Sequence, residues 1–82
     1  DDVWVTQRAE SLVEQYGLST REGEILHMFA QGKTPQQITE ELFITMATVR
    51  SHTHKIHVKL GVHSHAELMS VIEEGTKEEK GR

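Results

Sequence analysis

The side chains best suited to chemistry lie between Thr45 and Ala66, in a stretch that contains no Asp or Glu. This stretch holds five of the six histidines of the protein together with three of its strong bases: Arg50, Lys55, Lys59, His52, His54, His57, His63 and His65. All thirteen acidic residues lie elsewhere, and the net charge of the chain is −4. A single cationic stretch on an acidic protein favours a polyanionic partner, because phosphate contacts supply a large share of the affinity of nucleic-acid-binding proteins.

The histidines permit a second interpretation, in which imidazoles bind zinc or nickel. His54 and His57 are three residues apart, which places them roughly 60° apart on a helical wheel. A metal site also needs groups that converge on the ligands and orient them, and the spacing does not supply these. We therefore predict no metal ligands and no cofactor.

Catalytic chemistry has little support in the sequence. There is no nucleophile arrangement, no glycine-rich phosphate loop and no carboxylate pair. Glu22 shares a helical face with Ile25, Leu26 and Phe29, so its carboxylate is expected to border the core and to require a cationic or hydrogen-bonding partner. We predict a structural role for Glu22, no catalytic residues, and a protein that is not an enzyme.

The size of the chain limits it to one small domain, since it has 82 residues. It has no cysteine, so the fold must be stabilised by packing rather than by disulfides or thiolate-bound metal. No apolar run approaches the roughly 18 residues needed to cross a bilayer, and no basic, apolar signal segment opens the chain. We expect a cytoplasmic protein with no membrane contact in this segment.

Helix-capping patterns divide the chain into helices. Ser19 with Glu22, Thr34 with Gln37, and Ser64 with Glu67 have the spacing of capping boxes, and Thr45 can cap a further helix. Predicted helices run from about Thr20 to Gln31, Pro35 to Leu42, Met46 to Leu60, and His65 to Glu74. A further helix is expected between Trp4 and Gln15. No strand is evident, so the predicted fold class is all-α.

This division predicts three parts of the chain. Residues 1–17 form an N-terminal linker helix, residues 18–75 form a compact four-helix domain with a central helix-turn-helix, and residues 76–82 form a disordered charged tail. The short connection Leu42-Phe43-Ile44 joins the two central helices, as in proteins whose second helix enters the DNA major groove.

The predicted helix from Met46 to Leu60 has two distinct faces. Val49, Ile56 and Leu60 fall together on a helical wheel and should face the core. Arg50, Ser51 and His54 fall on the opposite face, where a guanidinium and hydrogen-bond donors could contact base edges. An ordinary solvated helix face is the alternative, and the absence of acidic residues argues against it.

At this point the sequence resembles the LuxR-type helix-turn-helix DNA-binding domain, found at the C-terminal end of quorum-sensing regulators and NarL/FixJ-like response regulators. The resemblance extends from Leu18 to about Ile72 and includes four motifs in register. The motifs are Leu18-Ser19-Thr20-Arg21-Glu22; Gly32 to Ile38; Glu40-Glu41-Leu42-Phe43-Ile44; and Thr48-Val49-Arg50-Ser51-His52 followed by Ile56 and Lys59-Leu60-Gly61-Val62.

The resemblance implies a bacterial transcription regulator that binds double-stranded promoter DNA with its third helix in the major groove. By position, it implies base contacts from Arg50, Ser51 and His54. Contacts to phosphates are expected from four residues on the flanks: Thr34, Thr48, Lys55 and Lys59. For Lys59, a solvated surface lysine is an equally weighted alternative.

The family also implies a homodimer on DNA, built through the fourth helix. That helix carries an apolar stripe wider than one core contact usually requires, and Leu68, Met69 and Ile72 are the predicted dimer contacts. In the alternative, the N-terminal helix covers the stripe within one monomer through Val5, Leu12 or Tyr16.

Three histidines mark a departure from the family pattern. His54, His63 and His65 stand where relatives more often carry Lys or Arg, so the surface is less cationic near pH 7. Because imidazole titrates near pH 6.5, we expect DNA affinity to rise as pH falls from about 7.5 to 6. The acidic net charge leaves one alternative function, a protein-interaction module on a helix-turn-helix scaffold that binds another regulator or RNA polymerase.

Overall fold

The fold consists of five helices in the part of the chain that the structure describes. The computed structural model describes the backbone of residues 2–80 and the side chains of residues 3–73. In chain order the helices are α1 (Asp2–Tyr16), α2 (Thr20–Ala30), α3 (Pro35–Leu42), α4 (Met46–Leu60) and α5 (His65–Lys80). The described residues include no strand, and none of these helices is long and apolar enough to cross a membrane.

Capping residues explain why the boundaries of the central helices match those predicted. The Ser19 and Thr34 side chains accept hydrogen bonds from the backbone of Glu22 and Gln37, whose side chains bond back to the caps. Each box satisfies backbone donors that the first turn leaves unpaired. The Thr45 side chain caps α4 by accepting a hydrogen bond from the Thr48 amide.

The two outer helices are longer than predicted. α1 begins at Asp2 rather than Trp4, and α5 continues to Lys80 rather than ending near Glu74. α5 thus extends into the segment predicted to be a disordered tail, whose disorder stays a prediction, and Gly81 and Arg82 lie outside the described residues. Lys and Glu have high helix propensity, so a charged segment can continue a helix without apolar residues that dock.

One hydrophobic core joins all five helices. Its fully buried members come from every helix, so α1 packs on the same core as the predicted four-helix domain. The largest of them are Phe29, Leu12, Ile25, Leu26, Ile38, Ile56, Leu68, Ile72 and Val49.

Polar and close contacts fix α1 against its neighbours. The buried Arg8 guanidinium donates hydrogen bonds to the carbonyl oxygens of Ile72 and Val71 on α5, both at 3.1 Å. On the other side, α1 lies so close to α2 that a Cβ atom added at Gly23 would stand 2.8 Å from Val13 Cγ2. Only glycine permits this approach without a shift of the neighbouring side chain.

The turn between α3 and α4 contains a backbone conformation that is unusual for its residue. Phe43 has φ 57° and ψ 47°, in the left-handed region, and its side chain is 92% exposed. The amides of Phe43 and Ile44 both donate to the Thr39 carbonyl and so close α3. Phe43 therefore turns the chain into α4 without burying its ring.

Candidate nucleic-acid interface

Helix α4 packs on the core through the three residues predicted to face it. Val49, Ile56 and Leu60 are 1%, 0% and 8% exposed, respectively. Gly61 ends the helix with φ 73°, which glycine adopts at little cost, and its amide donates to the His57 and Val58 carbonyls. The orientation of α4 predicted from the helical wheel is confirmed.

The opposite face of α4 presents the predicted base-contacting side chains to solvent. Arg50, Ser51 and His54 are all exposed. Among the described residues, no hydrogen bond or ion pair holds the Arg50 guanidinium. An unpaired guanidinium with five donors can bond to two acceptors on one base edge, so this face has the chemistry required to read a duplex.

Two of the predicted phosphate contacts already use their hydroxyl groups locally. The Thr34 hydroxyl accepts from the Gln37 amide at 3.2 Å and donates to Gln37 Oε1 at 3.3 Å. The Thr48 hydroxyl lies 3.0 Å from that of Thr45. Thr34 caps α3 and Thr48 bonds to Thr45, the cap of α4, and a phosphate contact from either one stays a prediction.

The two predicted phosphate-binding lysines of α4 have different surroundings. Lys55 is exposed, and within the described residues it has no ion pair. Lys59 instead places its Nζ atom 2.8 Å from Glu22 Oε1 and 3.2 Å from the Gly17 carbonyl oxygen. For Lys59, the sequence predicts either a phosphate contact or a solvated side chain. Neither prediction included an ion pair with Glu22.

Glu22 has the structural role predicted for it. The residue is 3% exposed, and its carboxylate also accepts a hydrogen bond from the Ser19 amide at 3.0 Å. The hydrogen bond from Lys59 is the main reason that the pKa of Glu22 lies below its ordinary value, and the Ser19 amide adds to this effect. The pair ties the start of α2 to the end of α4.

The predicted dimer contacts are wrong for two of the three residues. Leu68 and Ile72 are 0% and 2% exposed and belong to the core of the monomer. α1 covers this side of α5, with Leu12 in the same core and Arg8 bonded to the Ile72 carbonyl. A helical wheel shows that a stripe is apolar, but it does not show which helix covers it. Met69 is only partly buried.

Three of the histidines line one groove beside α4. His54, His57 and His65 line a common groove beside Arg50 and Lys33. Within the described part of the chain, no three His, Asp or Glu side chains are placed to hold a metal ion. Sequence reasoning missed His57 and Lys33 as members of this groove, because its walls come from three separate parts of the chain.

Comparison with known families gives a match over most of the chain. The model of the GerE family, described as bacterial regulatory proteins of the luxR family, matches residues 16–72. These residues include α2, α3 and α4 and the start of α5. No solved structure matches the chain.

Three bacterial proteins illustrate the similarity. Transcriptional regulatory protein LiaR of Bacillus subtilis is 47% identical over 53 residues, which cover 65% of this chain and 25% of LiaR. Transcriptional regulatory protein YvfU of the same organism is 42% identical over 57 residues, covering 70% of this chain and 28% of YvfU. Oxygen regulatory protein NreC of Staphylococcus aureus is 44% identical over 52 residues, covering 63% of this chain and 24% of NreC.

The matched region spans about a quarter of the length of each of these relatives. The family match, residues 16–72, contains the capping boxes, the turn at Phe43 and the exposed face of α4. Because the family model covers more than half of the chain, this protein belongs to the luxR family of bacterial regulatory proteins.

Proposed function

We propose that the chain is the sequence-specific DNA-binding output domain of a bacterial transcription regulator. α4 enters the major groove of promoter DNA, where Arg50, Ser51 and His54 contact bases. The observation that carries this proposal is the exposed Arg50, which has no ion pair among the described residues and stands on a helix whose opposite side is buried. Family membership and the names of the relatives, which are transcriptional regulators, support the same role.

Phosphate contacts should come from the residues that border this face. Lys55 is exposed on α4, and Thr34 stands at the amino-terminal end of α3, where the helix dipole favours an anion. Thr48 can approach a phosphate beside Thr45, the residue that caps α4. Lys59 is left out of this set because Glu22 already holds its ammonium group.

A homodimer on DNA remains part of the proposal, but its contacts cannot be Leu68 and Ile72, which are buried in the monomer. Operator symmetry mirrors protein symmetry in dimeric helix-turn-helix proteins. A dimer therefore predicts an inverted repeat in the bound DNA, with half-sites about one helical turn apart or a multiple of it. A regulator of this kind acts on DNA in the cytoplasm.

The direct experiment is selection of bound duplexes from a random pool, followed by footprinting of the selected site. We expect a shared sequence and protection in the major groove. Arg50→Ala should reduce the enrichment and relax the selected sequence at the position that Arg50 contacts. Arg21→Ala is a charge-matched control, because Arg21 pairs with Glu24 at 3.1 Å on α2 and lies outside the α4 face. Enrichment of no common sequence by the unaltered protein would contradict the proposal.

The exposed Phe43 supports one second candidate, a protein-interaction module that binds another regulator or RNA polymerase. Phe43 is 92% exposed, and Val58 on α4 is 65% exposed. Salt dependence separates the two functions. DNA binding should weaken steeply with ionic strength, with a slope of about −0.9 per phosphate neutralised, whereas an apolar protein contact through Phe43 should respond weakly.

A further inference from the structure

A groove of about 890 Å³ lies beside the recognition face, between the α2–α3 connection, α4 and the start of α5. Apolar side chains, including Phe29, Val49 and Met69, form part of its lining. The His65 ring packs edge-on against Phe29, with 4.9 Å between ring centroids, and this contact holds His65 at the wall of the groove. Arg50 and His54 form the border shared with the proposed base-reading face.

The charges around this groove favour an anion. Among the described residues, its lining contains Lys33, Arg50 and three histidines, and no Asp or Glu. Lys33 is partly neutralised by Glu41, whose carboxylate lies 2.7 Å from the lysine ammonium. Arg50 is not neutralised by any described residue. The groove thus combines one available permanent positive charge with imidazoles that can gain charge.

His57 is the least solvated of these imidazoles. Its Nε2 atom is buried and has no hydrogen-bond partner among the described residues. Burial lowers the pKa of His57 below its ordinary value, and the nearby His65 and His54 lower it further. His63, from the α4–α5 connection, acts in the same direction, whereas Glu67 on α5 opposes it.

An anion in the groove would oppose the lowering of the His57 pKa. A phosphate close to an imidazole favours the protonated form, because an opposite charge within about 4–6 Å stabilises it. The neighbouring groups from α3, Pro35 and Gln36, carry no charge that would compete. Binding of phosphate and uptake of protons should therefore occur together.

We propose that the groove receives one sugar-phosphate strand of the DNA duplex, and that His54, His57 and His65 take up protons as its phosphates enter. This inference rests on the proposed function and adds a surface and a proton linkage to it. It differs from the expectation drawn from the sequence, because His57 replaces His63. His63 does not line the groove, and its Nδ1 atom lies 3.7 Å from Glu67 Oε1.

The test measures affinity for the selected duplex from pH 8 to pH 6 at fixed ionic strength. Each proton taken up on binding gives about a tenfold gain in affinity per pH unit, by linkage. The number of protons can be counted independently by calorimetry in two buffers that differ in ionisation enthalpy. We expect uptake of at least one proton near pH 6.5.

The variant His57→Gln/His65→Gln should lose at least half of this pH slope, whereas His63→Gln should retain the slope of the unaltered protein. Because His57 is partly buried, His65→Gln alone provides a second variant at an exposed position. An unchanged slope in the double variant and in His65→Gln, or loss of the slope in His63→Gln, would overturn the inference.

Two further outcomes distinguish this inference from the function on which it rests. Specific binding with no pH dependence would remove the proton linkage and leave the proposed function standing. Failure to bind any duplex from pH 6 to pH 8 would remove both.

Discussion

Replacement of Lys59 by methionine tests whether this lysine stabilises the fold or binds DNA. In the structure its ammonium group contacts Glu22 Oε1 at 2.8 Å and the Gly17 carbonyl at 3.2 Å. The Glu22 side chain is 4% exposed, and that of Lys59 is 37% exposed. Methionine keeps most of the aliphatic stem but leaves the buried carboxylate without its cation.

The expected loss of stability follows from these exposures. Breaking a fully buried ion pair costs about 3–5 kcal/mol. The half-exposed lysine and the remaining hydrogen bond from Ser19 reduce this figure, so we expect about 1–3 kcal/mol, the range for an unpaired buried polar group. A loss of about 2 kcal/mol would lower Tm by roughly 8–16 °C in a domain of this size.

The assay is thermal unfolding followed by circular dichroism, in a double-mutant cycle with Glu22→Gln. The two single changes should each destabilise the protein, and the double change should cost less than their sum, because both remove the same interaction. The pH dependence gives a second readout. Glu22 has a lowered pKa, so its stabilisation is complete above its ordinary pKa and is lost as pH falls through the folded-state value. Lys59→Met should reduce this acid sensitivity.

Measurements of DNA affinity give the outcome that would refute a purely structural role for Lys59. If Lys59 bound a phosphate, Lys59→Met would leave Tm unchanged and would reduce the salt slope of DNA affinity by about 0.9. Lys55→Met is the matched control, since Lys55 is exposed on the same helix. We expect the reverse pattern, with a reduced salt slope only for Lys55→Met and a lowered Tm only for Lys59→Met.

Three further substitutions test the packing, each by chemical denaturation. Gly23→Ala should destabilise the protein by up to about 2 kcal/mol, because overpacking against Val13 costs about 1–3 kcal/mol and the gain in helix propensity is only about 1 kcal/mol. Adding Val13→Ala to the same chain should relieve the overpacking. A Gly23→Ala variant that is more stable than the unaltered protein would contradict the close approach of α1. Leu68→Ala should cost about 2–5 kcal/mol at every protein concentration, whereas a concentration-dependent effect would restore the dimer assignment. Phe43→Asn should stabilise the protein by up to about 1 kcal/mol, because Asn tolerates the left-handed backbone; a destabilised variant would mean that the exposed ring contributes to folding.

Local signals made the central helices predictable from sequence. The caps at Thr34, Thr45 and Gly61 act within a few residues of themselves, so they define helix ends independently of the rest of the fold. The buried and exposed faces of α4 follow from helical periodicity for the same reason. The predicted end of the last helix near Glu74 falls short of its observed end at Lys80, because a single glycine lowers helix propensity by only about 1 kcal/mol.

Contacts between distant segments were not predictable in this way. The need of Glu22 for a partner could be inferred from its apolar neighbours, but the partner, Lys59, comes from another helix. The burial of Leu68 depends on α1, and the groove depends on the relative placement of α2, α4 and α5. Each of these features is set by tertiary packing rather than by local pattern.

The proposed recognition by α4 is tested most directly by the effect of Arg50→Ala on discrimination between two duplexes. The measurement compares affinity for the selected site with affinity for a scrambled duplex of the same length and composition, at one salt concentration. We predict a loss of about 1–3 kcal/mol on the selected site and a much smaller loss on the scrambled one. An equal loss on both duplexes, or no loss on either, would contradict base recognition by Arg50.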